Sequence, residues 1–196
     1  MNEPNWDLLI VGGTILTMEP DTEPIVNGAV AVADGRIAAV GLAEDLLEHA
    51  PTGEVVNAAG CIVMPGMVNT HSHLAMTLLR GLADDLHLMD WLENHIWPAE
   101  KTHINREAVR IGTELAVAEQ LLAGVTTTTD MYFFGNKVAA VLAEAGMRGV
   151  IAESLIDFAT PRCATPEDML AKQRELAEEY RKHPLITPSI AAHAPY

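Results

Sequence analysis

The residues of this sequence best placed to do chemistry are His71 and His73, which close the run Pro65-Gly66-Met67-Val68-Asn69-Thr70-His71-Ser72-His73. In an extended chain, side chains at i and i+2 leave the same face. If Asn69 to His73 ends a strand, both imidazoles aim at one point and Ser72 turns away. Imidazole nitrogen suits zinc, iron or nickel, and a catalytic ion keeps one position open for water. A bare H-x-H also occurs on surface turns, so its meaning rests on the elements around it.

Those elements alternate. Cys61-Ile62-Val63-Met64 and Met67-Val68 have the apolar, β-branched composition of a buried strand, with Pro65-Gly66 as a turn at its entrance. Beyond His73 the period changes: Leu88, Trp91, Leu92, Ile96 and Trp97 recur at helical spacing, and Pro98 is expected to end or redirect that helix. A tryptophan-rich excursion after a ligand-bearing strand reads as a loop covering the site, although Trp97 reads equally well as helix core. Asn105 to Ala123 is an amphipathic helix with Asn105 as N-cap and Gly124 as C-cap. Val125 to Tyr132 is a strand, Lys137 to Ala145 a helix stopped by Gly146, and Arg148 to Asp157 a third strand. Pro166 to Lys182 is a helix capped by Thr165, and Ile186 to His193 a fourth strand.

Strand then helix, repeated, is the pattern of a parallel sheet, and four strands with three complete helices make half of a (β/α)8 barrel, which takes ~250 residues when whole. Upstream, Leu8 to Val11 breaks at the turn signal Gly12-Gly13 and resumes as Thr14 to Met18. Ala29 to Ala33 and Arg36 to Val40 flank Asp34-Gly35, a pair suited to a type I′ hairpin turn, and Glu54 to Asn57 is a further short strand. The expected fold class is therefore α/β: residues 1–64 a small β unit, residues 65–196 the first half of a TIM-type barrel.

Barrels of this kind keep their chemistry at the carboxyl ends of the strands. His193, two residues before Pro195, stands at such an end, as do Asp130 and Asp157, which read as structural supports. Glu100, by its position alone, is an ordinary helix-end carboxylate. His49, His87, His95, His103 and His183 fall at boundaries or polar faces and read as surface or capping residues rather than ligands.

Composition excludes several function classes. The 196 residues carry a formal charge of -15, and both nucleic acid and anionic membrane need a basic footprint. Cys61 and Cys163 are the only cysteines and lie far apart, giving neither a disulfide framework nor a C-x-x-C pair, as suits a reducing cytoplasm. The first residues have no basic region before a long apolar run, so no signal peptide is expected, and no stretch approaches the ~20 apolar residues of a membrane span.

The run Met64-Pro-Gly-Met-Val-Asn-Thr-His-Ser-His73, then Met76-Thr-Leu-Leu-Arg-Gly-Leu-Ala-Asp-Asp85, Trp91-Leu92 and Trp97-Pro-Ala-Glu100, resembles the metal-dependent amidohydrolase superfamily, and within it the 5-methylthioadenosine/S-adenosylhomocysteine deaminases. The likeness runs from about Asp7 to Tyr196, and members of that family are more than twice this length. What it implies is a (β/α)8 barrel preceded by part of a small β-sandwich domain, one divalent metal (Zn2+, with Fe2+ also possible) on His71 and His73, and a small nucleoside substrate. Glu100 corresponds to the carboxylate that accepts the ribose hydroxyls, His193 to a histidine that contacts the nucleoside, and Trp91 to a contact at the adenine end. The implied reaction is hydrolytic deamination: water acidified toward pKa ~7 by the metal attacks C6 of the adenine ring, and ammonia leaves. In the family, further ligands and the acid/base group come from the fifth, sixth and eighth strands, so no catalytic residue is expected within this chain and a C-terminal half is required. A homo-oligomer is compatible with the resemblance.

Two departures from the family pattern bear on substrate. The family places one substrate-contacting arginine where this sequence has Glu153 and a second in the loop after Asp157, where Arg162 is the nearest candidate. The fourth strand has no lysine to bridge two metals, which favours a single-metal site, and the H-x-E and P-C-x-x-C pattern of the cytidine-deaminase zinc site is absent. Alternatives are another amino-heterocycle hydrolase, such as a guanine deaminase or a triazine hydrolase, and a truncated polypeptide without catalysis of its own.

Overall fold

The computed structural model describes residues 6–48 and 53–193. His49, Ala194, Pro195, Tyr196 and the first five residues, on which some of the expectations above fall, lie outside the described residues. The chain forms two compact units, Met1–Pro65 and Gly66–Tyr196.

The first unit is built on one five-stranded sheet. β1 (Leu8–Ile15) lies at its centre and pairs antiparallel with β2 (Ile25–Ala33), which pairs antiparallel with β3 (Arg36–Leu42); β4 (Glu54–Asn57) and β5 (Ile62–Val63) run parallel to β1 on its other side. The β2–β3 turn is as expected: Asp34 and Gly35 both have positive φ, 51° and 69°, as type I′ requires. Gly12-Gly13 is not a turn. β1 runs straight through it with register shifts on either side of Gly13, so the glycines make a bulge. The space decides this, since a side chain on Gly13 would meet Val63 Cγ2 at 2.8 Å. A short helix, α1 (Ala43–Leu47), escaped the sequence reading; Ala43 and Leu46 join Trp6, Leu9, Ala29 and Ala31 in the core of this unit.

The second unit is a parallel sheet in which each strand lies beside the one before it, the order of one half of a (β/α)8 barrel. β6 (Met67–Ser72) pairs with β7 (Val125–Tyr132), and β7 with β8 (Arg148–Leu155). The fourth strand is split. β9 (Ile186–Pro188) and β10 (Ala191–Ala192) both pair with β8 in one register, interrupted at Ser189 and Ile190 after a proline that has no N–H for the ladder. Helices α4 (Arg106–Leu122), α5 (Gly135–Glu144) and α6 (Pro166–Tyr180) cover the sheet, burying Val109, Val117, Val138, Leu142 and Leu176 against Ile151 and Ile186. Their starts are the expected ones. Asn105 accepts the N–H groups of Glu107 and Ala108, and Thr165 forms a capping box with Asp168.

Between β6 and α4 the chain makes a 3-10 turn (Leu74–Leu79) and then the tryptophan-bearing helix, α2 (Leu88–Trp91) and α3 (Trp97–His103) joined by a π-helical turn (Leu92–Ile96). Pro98 does not end the helix. The wider i→i+5 bonding just ahead of it lets the proline enter as one of the first residues of α3, where a missing N–H leaves no partner unsatisfied.

Candidate functional site

β6 delivers His71 from its last turn of pleat and His73 just beyond its end, and the two rings lie 5.2 Å apart, nearly perpendicular. Ser72 points the other way, as strand alternation requires, donating to the Thr129 carbonyl at 2.7 Å and lying 3.1 Å from Thr128 Oγ1. β7 holds this segment residue by residue. Met131 O lies 2.7 Å from His73 Nδ1, and Asp130 Oδ1 accepts the Leu74 N–H at 2.6 Å. A carbonyl can only accept, so Nδ1 carries the proton and Nε2 keeps its lone pair, the tautomer a metal ligand needs. Burial pushes the His73 pKa below the usual histidine range; the Met131 carbonyl opposes this, and His71 and His193 add to the lowering.

His71, His73, Glu100 and His193 all line one cavity of about 340 Å³ in the second unit. His193 follows β10, anchored by its N–H to the Leu155 carbonyl, with its ring 5.8 Å from that of His73. Burial, then the neighbouring His71, lowers its pKa. Glu100 is buried in α3 rather than solvated at a helix end, and Tyr132 donates its hydroxyl to Glu100 Oε1 at 2.7 Å. Burial raises the Glu100 pKa against the lowering effect of that bond, and both burial and Glu100 raise that of Tyr132. Trp91 and Trp97 both reach the cavity; Trp91 Nε1 donates to the Leu82 carbonyl, and Trp97 packs on Phe158 with ring centroids 4.9 Å apart.

The remaining candidates are placed elsewhere. Asp130 is wholly buried behind the histidine turn, its pKa raised to about 7 by burial despite the Leu74 N–H and Ser72 hydroxyl. His87, His95 and His103 do not line the cavity, and His183 accepts the N–H groups of Leu185 and Ile186, a capping role. Glu153 faces α5, where its carboxylate takes the N–H groups of Phe134 and Gly135 and pairs with Arg162 at 2.6 Å. Neither Glu153 nor Arg162 is among the residues lining the cavity, and the Arg162 guanidinium is engaged by Glu153. Tyr132 was not singled out by sequence, although it lies two residues beyond Asp130 on the same face of β7. Phe158, on an irregular loop after β8, carried no spacing signal at all.

Among the described residues no three His, Cys, Asp or Glu side chains converge as a metal-binding group. The donor set that is present, two imidazoles from one strand end with one tautomer fixed from behind, fits a divalent ion that takes its remaining ligands from elsewhere.

A parallel half-barrel with paired histidines at the carboxyl end of its first strand is what the resemblance to the metal-dependent amidohydrolases implies for this part of the fold. Residues 62–196 match the family model described as the amidohydrolase family, and the chain belongs to that family. Residues 28–52 match an imidazolonepropionase-like composite domain of bacteria. The chain is 45% identical over 196 residues to the 5-methylthioadenosine/S-adenosylhomocysteine deaminase of Syntrophobacter fumaroxidans, covering all of this chain and 44% of that one. It therefore spans less than half the length of that relative. A zinc-bound adenosine deaminase from Xanthomonas campestris superposes with a TM-score of 0.94 at 42% identity, over 98% of this chain and 44% of that one. A triazine hydrolase from Arthrobacter aurescens superposes with a TM-score of 0.85 over 98% of this chain and 48% of that one, at 17% identity, a likeness of fold alone. No helix among the described residues is long and apolar enough to cross a membrane.

Proposed function

We propose that this chain supplies the first metal ligands and the nucleoside-binding wall of a hydrolytic deaminase acting on the adenine ring of adenosine-type nucleosides, 5-methylthioadenosine and S-adenosylhomocysteine among them. The observation that carries this reading is the convergence of His71, His73, Glu100 and His193 on one cavity, from β6, α3 and the end of β10. His71 and His73 would hold a single zinc ion, which when bound supplies an acidified water for attack on the ring.

The chain's own residues do the rest of what is proposed here. The Met131 carbonyl keeps the His73 proton on Nδ1. Tyr132 occupies one oxygen of Glu100, leaving the other to accept ribose hydroxyls. Trp91 and Trp97 give the base a flat apolar surface, and His193 offers a nitrogen for the nucleoside. The further metal ligands and the acid/base group belong to the part of the fold that matches the remainder of the longer relatives. Working in the cytoplasm suits the two free thiols, Cys61 and Cys163.

The test is ammonia release from both nucleosides by the purified chain with added zinc, with metal content and nucleoside binding measured in parallel. Binding without turnover is expected. Turnover that disappears in His71→Ala or His73→Ala would show the site to be complete as it stands, and failure to bind any adenosine-type nucleoside would remove the substrate assignment.

A further inference from the structure

We infer that Glu153 and Arg162 are positioning residues for the aromatic wall of the cavity, which they hold by tying the loop that carries Phe158 to β8 and to the start of α5. The effect on a ligand rests on the reading that the cavity takes adenosine-type nucleosides; the effect on the wall does not.

Three segments that supply the wall meet at this pair. Ser154 and Ile156 follow Glu153 out of β8, Phe133 lies just ahead of α5, and Phe158 stands four residues before Arg162. A single carboxylate joins them. It accepts the Phe134 N–H at 3.2 Å and the Gly135 N–H at 2.9 Å, and Arg162 Nη1 lies 2.6 Å from its Oε2. The Glu153 N–H in turn donates to Gln173 Oε1 of α6 at 2.8 Å. Phe134 stands at φ 58°, in the left-handed region that a bulky side chain rarely enters. The carboxylate on its N–H and the Arg162 guanidinium, 5.4 Å from its ring centroid, hold that strained backbone in place.

The loop transmits this anchorage because it is bonded to itself. The Thr160 N–H donates to the Cys163 carbonyl at 2.8 Å, and Thr160 Oγ1 accepts the N–H groups of Arg162 and Cys163 at 3.3 and 3.0 Å. Fixing Arg162 therefore fixes Phe158 two residues ahead of that knot, with its ring centroid 4.9 Å from that of Trp97. Glu153 and Arg162 are 1% and 7% exposed, so losing one partner strands a buried charge, whereas losing both removes the tether alone. Cys163, buried beside Arg162 with Ile156 and Met169, loses its cover if the loop lifts.

The experiment follows two reporters in the wild type, Arg162→Met and Glu153→Gln/Arg162→Met. One is labelling of Cys163 by a thiol reagent in a Cys61→Ser background; the other is the Trp97 indole N–H resonance, which the Phe158 ring shifts. Val109→Ala, a truncation in the core under α4, is the control for lowered global stability. Both pair variants are expected to label at least about tenfold faster than the wild type, beyond what their loss of stability in urea accounts for. The indole resonance moves in both, and adenosine affinity falls by about fivefold or more as the wall spends less time in place. In Val109→Ala, labelling follows global stability and the resonance stays. Labelling that only tracks global stability in the pair variants, or an unmoved indole resonance, would overturn the inference, as would wild-type adenosine affinity once the wall has moved. If Arg162→Met does not fold, as read by circular dichroism, the double variant decides alone. Absence of adenosine binding by the wild type removes the functional reading, and the two reporters that need no ligand still decide the positioning.

Discussion

Asp130 accepts the Leu74 N–H directly behind the histidine turn and is 1% exposed, so removing its carboxylate leaves a buried donor unsatisfied. Asp130→Ala is expected to lower the unfolding free energy by about 2 kcal/mol in urea titration, while Asp130→Asn, which keeps an acceptor, loses less. The pH dependence separates the two states of the acid. Because the folded pKa of about 7 lies above the ordinary value of 3.8, the folded chain binds more protons than the unfolded one between those limits. Stability from this group therefore falls as pH rises from 4 toward 7. Relative to Asp130→Asn, the wild type should lose stability between pH 5 and pH 8, a trend that equilibrium unfolding at a series of pH values would reveal or refute. At a second buried carboxylate, Tyr132→Phe removes the only donor described for Glu100 and is expected to raise the Glu100 pKa further and to destabilise by about 1–2 kcal/mol, read from its carboxyl carbon resonance and from thermal unfolding.

Among the elements, α4 sets the height of the turn that follows His73. Gly112 lies so close to that turn that a Cβ would meet the Ala75 carbonyl oxygen at 2.5 Å, and the Gly112 carbonyl accepts the Thr77 hydroxyl at 2.8 Å. Helix propensity alone makes Gly→Ala favourable by about 1 kcal/mol in a helix interior. The contact reverses the sign: Gly112→Ala is expected to destabilise by about 2 kcal/mol or more, because a backbone atom rather than a flexible side chain must move. Denaturant titration gives the sign directly. The caps are ordinary by comparison, and Thr165→Ala should cost about 1 kcal/mol through loss of the α6 capping box.

For the molecule as a whole, metal binding should be visible as stability. A ligand that binds only the folded chain stabilises by RT ln(1 + [L]/Kd), about 2.7 kcal/mol at a hundredfold excess over Kd. Zinc is expected to raise the melting temperature of the wild type and to leave His71→Ala/His73→Ala unchanged. An equal shift in both proteins would place the ion elsewhere.

The sequence by itself determined the α/β class, the helix caps at Asn105 and Thr165, the hairpin turn at Asp34-Gly35 and the histidine pair, because each is specified by residues only a few positions apart. It also singled out Glu100 and His193, through resemblance rather than through any local signal. What only the tertiary structure decided involves residues distant along the chain. Gly12-Gly13 became a bulge because Val63 lies beside it, the helix survived Pro98 because a π-helical turn precedes it, and Asp130 became a buried anchor because Leu74 reaches it across β6 and β7. Arg162 is paired with Glu153, a carboxylate that β8 supplies. Spacing along a chain can reveal which side chains share a face, but the partner that fixes a charge or a tautomer is supplied by packing.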